Sequence, residues 1–130
     1  RKSIRFMAFS FTSTPLGDAM LARAQAGVTV EGIFETRGSE TEYSELRSFY
    51  CAGLAVRQDG NPSTFHHKVI LIDDKILVTG SYNFSESADK NNDENTLLID
   101  NPQITARYVE EFNRRWAEAH DPDPAKINCR

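Results

Sequence analysis

Between residues 66 and 83 the chain sets an imidazole, an ammonium, a hydroxyl and an amide into one short strand-turn-strand stretch. His66 and Lys68 stand two apart, Asp73 follows, and Gly80, Ser81 and Asn83 close the stretch, giving the pattern H-x-K-x4-D-x6-G-S-x-N. Together these groups can hold a phosphodiester and attack its phosphorus. A phosphodiester is an anion, so its attacker should be neutral. A neutral His66 fits as a nucleophile that forms a covalent phosphohistidine. Lys68 and Asn83 suit the non-bridging oxygens, where negative charge grows in the transition state. Ser81 can donate a hydrogen bond to phosphate or to a polar neighbour. Further on, Glu94 can accept the far ring N–H of the histidine and fix its tautomer.

The elements that must position these groups are legible in the same stretch. Residues 69–72 are a continuous apolar run, as expected for a strand covered on both faces. Side chains two apart on a strand point the same way, so His66 and Lys68 share a face and His67 points to the other. Asp73-Asp74-Lys75 breaks the run and residues 76–79 start a second one, which reads as a hairpin with a short polar turn. The returning strand brings Gly80, Ser81 and Asn83 back to the end where His66 and Lys68 lie. Gly80, without a Cβ, is expected to let backbone approach a ligand. Asp73 sits at the turn and reads as structural, although it belongs to the motif by position.

This pattern resembles the HKD motif of the phospholipase D superfamily, and most of all the small bacterial endonucleases that carry one such motif per chain. The likeness runs over roughly residues 4–118 and includes Asn92-Asp93-Glu94-Asn95. It implies a phospholipase D-like fold and a catalytic set of His66, Lys68, Asp73 and Glu94, with Lys68, Ser81 and Asn83 on the phosphate. It also answers a chemical shortfall. Expelling an alkoxide requires a general acid, and the water that follows requires a base. Of the three histidines, His67 faces away and His120 lies near the C-terminus. In the superfamily two motifs face each other across a twofold axis, one histidine attacking and its counterpart protonating the leaving group. One motif here implies an isologous homodimer with the site on the axis. The alternative is one half of a longer two-motif protein, since the chain begins at Arg1 and enters an apolar strand within a few residues.

The remaining sequence reads as α/β: a mixed, mostly parallel sheet with helices on both faces and no internal repeat. Residues 4–11 form an apolar, aromatic-rich strand. Ser13-Thr14-Pro15 starts a helix that Gly27 ends, and residues 28–34 form the next strand, so the two strands should be parallel. Residues 37–42 read as a polar loop, 43–50 as helix, 54–57 as a short strand, 84–91 as a short helix and 95–99 as a further strand. Asn101-Pro102 opens a last helix, where Ile104, Tyr108, Phe112 and Trp116 recur every four residues as a face for the sheet. Phe6, Phe9 and Phe11 are assigned to the core, with lining of the groove as the lower-ranked alternative. Residues 1–120 thus form one catalytic domain, and residues 121–130, rich in proline and aspartate at their start, are expected to be a mobile tail.

Composition bounds the function. The 130 residues carry a net charge of −4 with no basic stripe, so contact with a nucleic acid would be confined to a few phosphates. There is no run of about 18 apolar residues to span a membrane. No metal-ligand spacing appears, and Lys68 can do the electrostatic work of a metal, so no cofactor is called for. Cys51 and Cys129 make no framework, a disulfide between them is not expected because Cys129 lies in the tail, and the compartment is unknown. The favoured reading is a metal-independent phosphodiesterase acting on nucleic acid. A phospholipase D or phosphatidyltransferase half-domain acting on phospholipid is the alternative, and a non-catalytic dimerisation module ranks below both because every motif group is present.

Overall fold

Alternation of apolar side chains along the first strand gives the sheet two buried faces. The computed structural model describes residues 2–130. In β1 (Ser3–Ala8), Ile4, Phe6 and Ala8 join one core cluster while Met7 joins the other. Around β1 the chain builds α1 (Thr14–Gln25), β2 (Thr29–Phe34), α2 (Thr36–Ser39), α3 (Leu46–Cys51) and β3 (Ala55–Gln58). It then adds β4 (Lys68–Ile72), β5 (Ile76–Gly80), α4 (Glu86–Lys90), β6 (Thr96–Asp100) and α5 (Pro102–Glu118). The six strands lie in the order β3-β2-β1-β4-β5-β6. Four of them, β1, β2, β3 and β5, point the same way, as the mostly parallel reading expects. At the level of pairing the balance differs: β1–β2 and β2–β3 are parallel, whereas β1–β4, β4–β5 and β5–β6 are antiparallel. The β-α-β crossover makes the first half parallel, and the short β4–β5 hairpin makes that pair antiparallel, with β6 returning antiparallel to β5 after the connection that holds α4.

Helices cover both faces. On one, α1 and α3 enclose Phe6, Phe11, Phe34 and Phe49, whose ring centroids lie 5.2 to 6.2 Å apart. Gly32 pairs with Phe6, and a Cβ there would sit 2.2 Å from the Phe6 ring, so the small residue makes room for the large one. On the other face Tyr108, Val109, Phe112 and Trp116 of α5 pack on Met7, Ile33, Val69, Leu71 and Leu77. The expected α5 stripe therefore holds except at its first residue. Ile104 is 42% exposed, because α5 begins beyond the end of the sheet it packs against. Asn101 caps this helix, its Oδ1 accepting from the N–H groups of Gln103 and Ile104.

Three local expectations change. The loop over residues 37–42 contains the single turn α2, because the Glu35 carboxylate accepts the Gly38 N–H and starts a helix. Ser13 takes the N-cap position of α1 without a side-chain cap bond. The largest difference is at the C-terminus. Residues 121–130, expected to be mobile, are tied to the domain. His120 and Gln58 exchange backbone hydrogen bonds of 2.9 Å and cover the β3 edge. Lys126 pairs with Glu40 at 3.0 Å, and the Arg47 guanidinium donates to the Arg130 carbonyl at 2.8 Å. Contrary to the sequence expectation, a disulfide joins Cys51, at the end of α3, to Cys129, with Cα atoms 5.4 Å apart, because the C-terminal segment is held against α3 rather than free. Proline and aspartate shape one 3-10 turn here, Pro124–Lys126, capped by Asp123, and the rest is a strap held by its partners.

The disulfide spans 78 residues of sequence, so it restricts a large loop in the unfolded chain. By the chain-entropy model its removal costs about 2–5 kcal/mol. Cys51→Ser is expected to lower the unfolding free energy in urea by about 2–5 kcal/mol, seen as a lower midpoint with a steeper slope because the unfolded chain is no longer cross-linked. An unchanged midpoint would show that the strap does not stabilise the domain.

Candidate active site

The site forms where the C-terminal ends of β1 and β5 meet the start of β4. Lys68 opens β4 opposite Ala8, and the chain before it is already extended. The Phe9 N–H donates to the His67 carbonyl at 2.8 Å, which continues the β1–β4 ladder past the strand. The alternation of side chains continues with it. Phe65 and His67 turn to the α5 face, where their rings stack with centroids 4.5 Å apart, and His66 and Lys68 turn to the opposite face. The Lys68 ammonium lies 2.9 Å from His66 Nδ1, 3.5 Å from Nε2 and 3.0 Å from the His66 carbonyl. Partial burial holds the Lys68 pKa below its ordinary value, partly opposed by the negative charge of Glu94.

The other motif residues arrive through β5. Gly80 takes φ +151°, and a Cβ there would lie 2.2 Å from the Asn95 carbonyl oxygen. Its missing side chain thus admits the backbone entering β6 rather than the backbone of a ligand, which corrects the sequence expectation. Ser81 follows and is held on all sides. Its N–H donates to Asn95 Oδ1 at 3.0 Å, its hydroxyl accepts from the Asn95 N–H at 3.1 Å, and the same hydroxyl donates to the Glu94 carboxylate. Asn92 donates to the other Glu94 oxygen at 3.2 Å. Asn83 lies in the turn after Ser81, and its Oδ1 is buried without a hydrogen-bond partner among the described residues. A shallow recess of about 200 Å³ borders Lys68, lined by Leu16, Val78, Tyr82 and Thr96 among others. Two larger grooves, of about 520 and 650 Å³, lie under the C-terminal strap and between α1 and α4. Neither contains His66 or Lys68.

His66, Lys68, Ser81 and Glu94 are therefore linked in two pairs at one end of the sheet. Among the described residues no hydrogen bond joins Glu94 to His66; its carboxylate is occupied by Ser81 and Asn92. Asp73 stands apart, five residues from Lys68 and about 16 Å along the strand. It adopts φ +56° at the β4–β5 turn, and its carboxylate accepts the N–H groups of Lys2 at 2.6 Å and Ser3 at 3.0 Å. That contact fixes the start of β1 against the turn. Among the described residues no group of three or more His, Cys, Asp or Glu side chains is placed to hold a metal ion. None of the described helices is long and apolar enough to cross a membrane.

Two contributors to the site lie outside the motif. Phe9, for which the core ranks above the groove in the sequence, is half-buried and leans on His66 with ring centroids 4.5 Å apart, while Lys68 Nζ lies 5.4 Å from its ring. Its place one residue past β1, beside the start of β4, was the available signal. The second is the anchor behind the motif. His67 Nε2 lies 3.0 Å from Glu111 on α5, which also binds Arg114 and Arg115. Burial alone would raise the Glu111 carboxyl, but hydrogen bonds from Arg115, Arg114 and His67 prevail and lower it to about 2. Burial lowers the His67 pKa, opposed by its bond to Glu111.

Comparison with known proteins follows this geometry. A family profile described as "Cardiolipin synthase, PLD-like domain" matches residues 1–116. The chain is 35% identical over 128 residues to a mitochondrial cardiolipin hydrolase of Mus musculus, covering 98% of this chain and 57% of that protein. It is 32% identical over 116 residues to a phospholipase D of Rickettsia typhi, covering 89% of this chain and 57% of the relative. It thus spans little more than half the length of these curated relatives. Among solved structures it matches the phospholipase D family member Nuc from Salmonella typhimurium with a TM-score of 0.89 and 33% identity, covering 93% of this chain and 82% of that one.

The His67 shift makes stability depend on pH. A histidine whose pKa is lower folded than unfolded binds fewer protons in the native state, so its contribution is full above the unfolded value near 6.5 and declines as pH falls below it. The thermal midpoint should therefore drop on acidification through that range, and less steeply in His67→Phe. Identical pH slopes for the two proteins would remove His67 as the cause.

Proposed function

The chain belongs to the phospholipase D superfamily, and from that premise we propose that it is a metal-independent phosphodiesterase working through a phosphohistidine at a site shared by two copies. The observation that carries this reading is the His66–Lys68 pair, an exposed imidazole 2.9 Å from an ammonium at the open end of the sheet. His66 attacks phosphorus through Nε2 while the P–O bond to the leaving group breaks. The equivalent histidine of a second copy, as imidazolium, delivers the proton to the departing oxygen. Water then attacks the phosphohistidine, gives its proton to that second histidine, and frees His66.

The tautomer must change on the way. With Lys68 donating to Nδ1, a neutral ring carries its proton on Nε2, which is then no nucleophile. A bound phosphate draws Lys68 to a non-bridging oxygen and releases Nδ1. Ser81 can then bond the phosphate as well, freeing Glu94 to take the Nδ1–H. Asn83 offers its amide to the same oxygens. Asp73 serves the site from a distance by holding the β4–β5 turn to β1.

Nucleic acid is the substrate we favour. The recess beside Lys68 is shallow, and the net charge of −4 fits contact with one or a few phosphates. A phospholipid headgroup is the second reading, favoured by the names of the mouse and Rickettsia relatives. The second copy would cover the β5–β6 face beside the site. There Leu98 pairs with Val78, on the same side of the sheet as Lys68, and is 74% exposed.

In the presence of chelator, the protein should cleave plasmid or single-stranded DNA faster than vesicles of phosphatidylcholine and cardiolipin. Lipid turnover without DNA turnover would reverse the substrate assignment. His66→Ala should lose at least about a thousand-fold in rate, Lys68→Ala about a hundred-fold or more, and Glu94→Gln less than either. A fully active His66→Ala would end the nucleophile assignment. The wild-type mass in solution should be twice the 14.7 kDa chain mass. Leu98→Glu should halve that mass and abolish activity together, and an active Leu98→Glu monomer would contradict the shared site. A bell-shaped pH–rate profile is expected from one neutral and one protonated histidine.

A further inference from the structure

Two described groups bear on the His66 ring. One is the Lys68 ammonium; the other is the Phe9 ring, tilted by 41° with centroids 4.5 Å apart. The imidazole is otherwise exposed, and the segment that carries it, residues 61–67, is neither helix nor strand. Phe9 itself is well fixed. Its N–H donates to the His67 carbonyl at 2.8 Å, and the residues after it are tied to Phe84 through the Thr12 and Ser13 N–H groups. Its ring also lies 5.4 Å from Lys68 Nζ. An aromatic face attracts an ammonium, and the attraction grows where the cation is partly desolvated, as Lys68 is.

These contacts have unequal fates in the proposed reaction. When a phosphate takes Lys68, the hydrogen bond on Nδ1 has to pass from Lys68 to Glu94, and the Phe9 ring is the contact already in place that keeps the imidazole aimed through that exchange. Resting on the phosphodiesterase reading above, we infer that Phe9 is a positioning residue that holds the His66 imidazole in line with phosphorus once Lys68 has turned to the substrate. It acts through His66 and touches no reacting atom. Misplacing a nucleophile by about 1 Å can cost on the order of a hundred-fold in rate. Binding of the diester by Lys68, Ser81 and Asn83 is largely separate from that aim. Loss of Phe9 should therefore appear in kcat more than in KM.

The test uses the full chain with bis(p-nitrophenyl) phosphate as a soluble diester, together with NMR of the His66 side chain. Phe9→Ala should lower kcat by about 10- to 100-fold with KM within about two-fold and an unchanged thermal midpoint. Phe9→Leu, which keeps an apolar wall without the aromatic face, should fall between, and Phe9→Tyr should restore most of the rate. In the NMR experiment with inorganic phosphate bound, the His66 ring should occupy one rotamer in wild type and several in Phe9→Ala. Unchanged kcat in Phe9→Ala, or a loss shared with the thermal midpoint and not restored by tyrosine, would overturn the inference. If the wild type cleaves no diester, the phosphodiesterase reading fails instead. The rotamer comparison then still decides the role of Phe9: the same single rotamer in both proteins would exclude it.

Discussion

The two-residue period of an extended chain organises this site. Residues 65–68 are extended, so consecutive side chains must leave on opposite sides. Phe65 and His67 go to the α5 face and are held there by stacking and by Glu111. His66 and Lys68 are thereby committed to the other face, where no helix covers them. A slip of one residue would bury the ammonium under α5 and expose His67 instead. Burial of Phe65, Val69 and Leu71 on the α5 face fixes this register, and the His67–Glu111 contact of 3.0 Å supports it from behind the sheet.

The second constraint is the change from parallel to antiparallel pairing at β1. A crossover after β1 sends β2 and β3 to one side, and the hairpins from β4 onward fill the other. Only the antiparallel half can return Ser81 to the level of Lys68 within so few residues. The Asp73-Asp74 turn makes that return possible, with both residues at positive φ, as a tight hairpin turn of matching twist requires. Gly80 then lets β6 close in, and Asn95 and Glu94 lock Ser81 in place. The polar end of the sheet is thus assembled by backbone geometry before any ligand arrives.

Much of this was legible in the sequence because it depends on local period and turn chemistry. The β4–β5 hairpin, the β-α-β unit, the helices on both faces and the separate fates of His66 and His67 all follow from spacing. What was not legible depends on contacts far apart in the chain. Cys51 and Cys129 meet because α3 ends where the strap returns, and nothing in their spacing of 78 residues says so. Phe9 looks like its neighbours Phe6 and Phe11, yet it lies one residue beyond the strand and faces an imidazole rather than the core. The sequence reads Glu94 as a partner for His66, and here it bonds Ser81, which follows β5 and meets the residues before β6 through the β5–β6 pairing, and Asn92, its near neighbour in the chain.

The central claim is that the imidazole of His66 takes the phosphoryl group from its substrate. Rapid alkaline quenching of the working protein, followed by peptide mapping by mass spectrometry, tests it directly. The account predicts an acid-labile phosphoryl adduct confined to the peptide containing His66, formed and lost at rates consistent with turnover. An active protein that carries no such adduct, or carries it on His67 or His120, would contradict it.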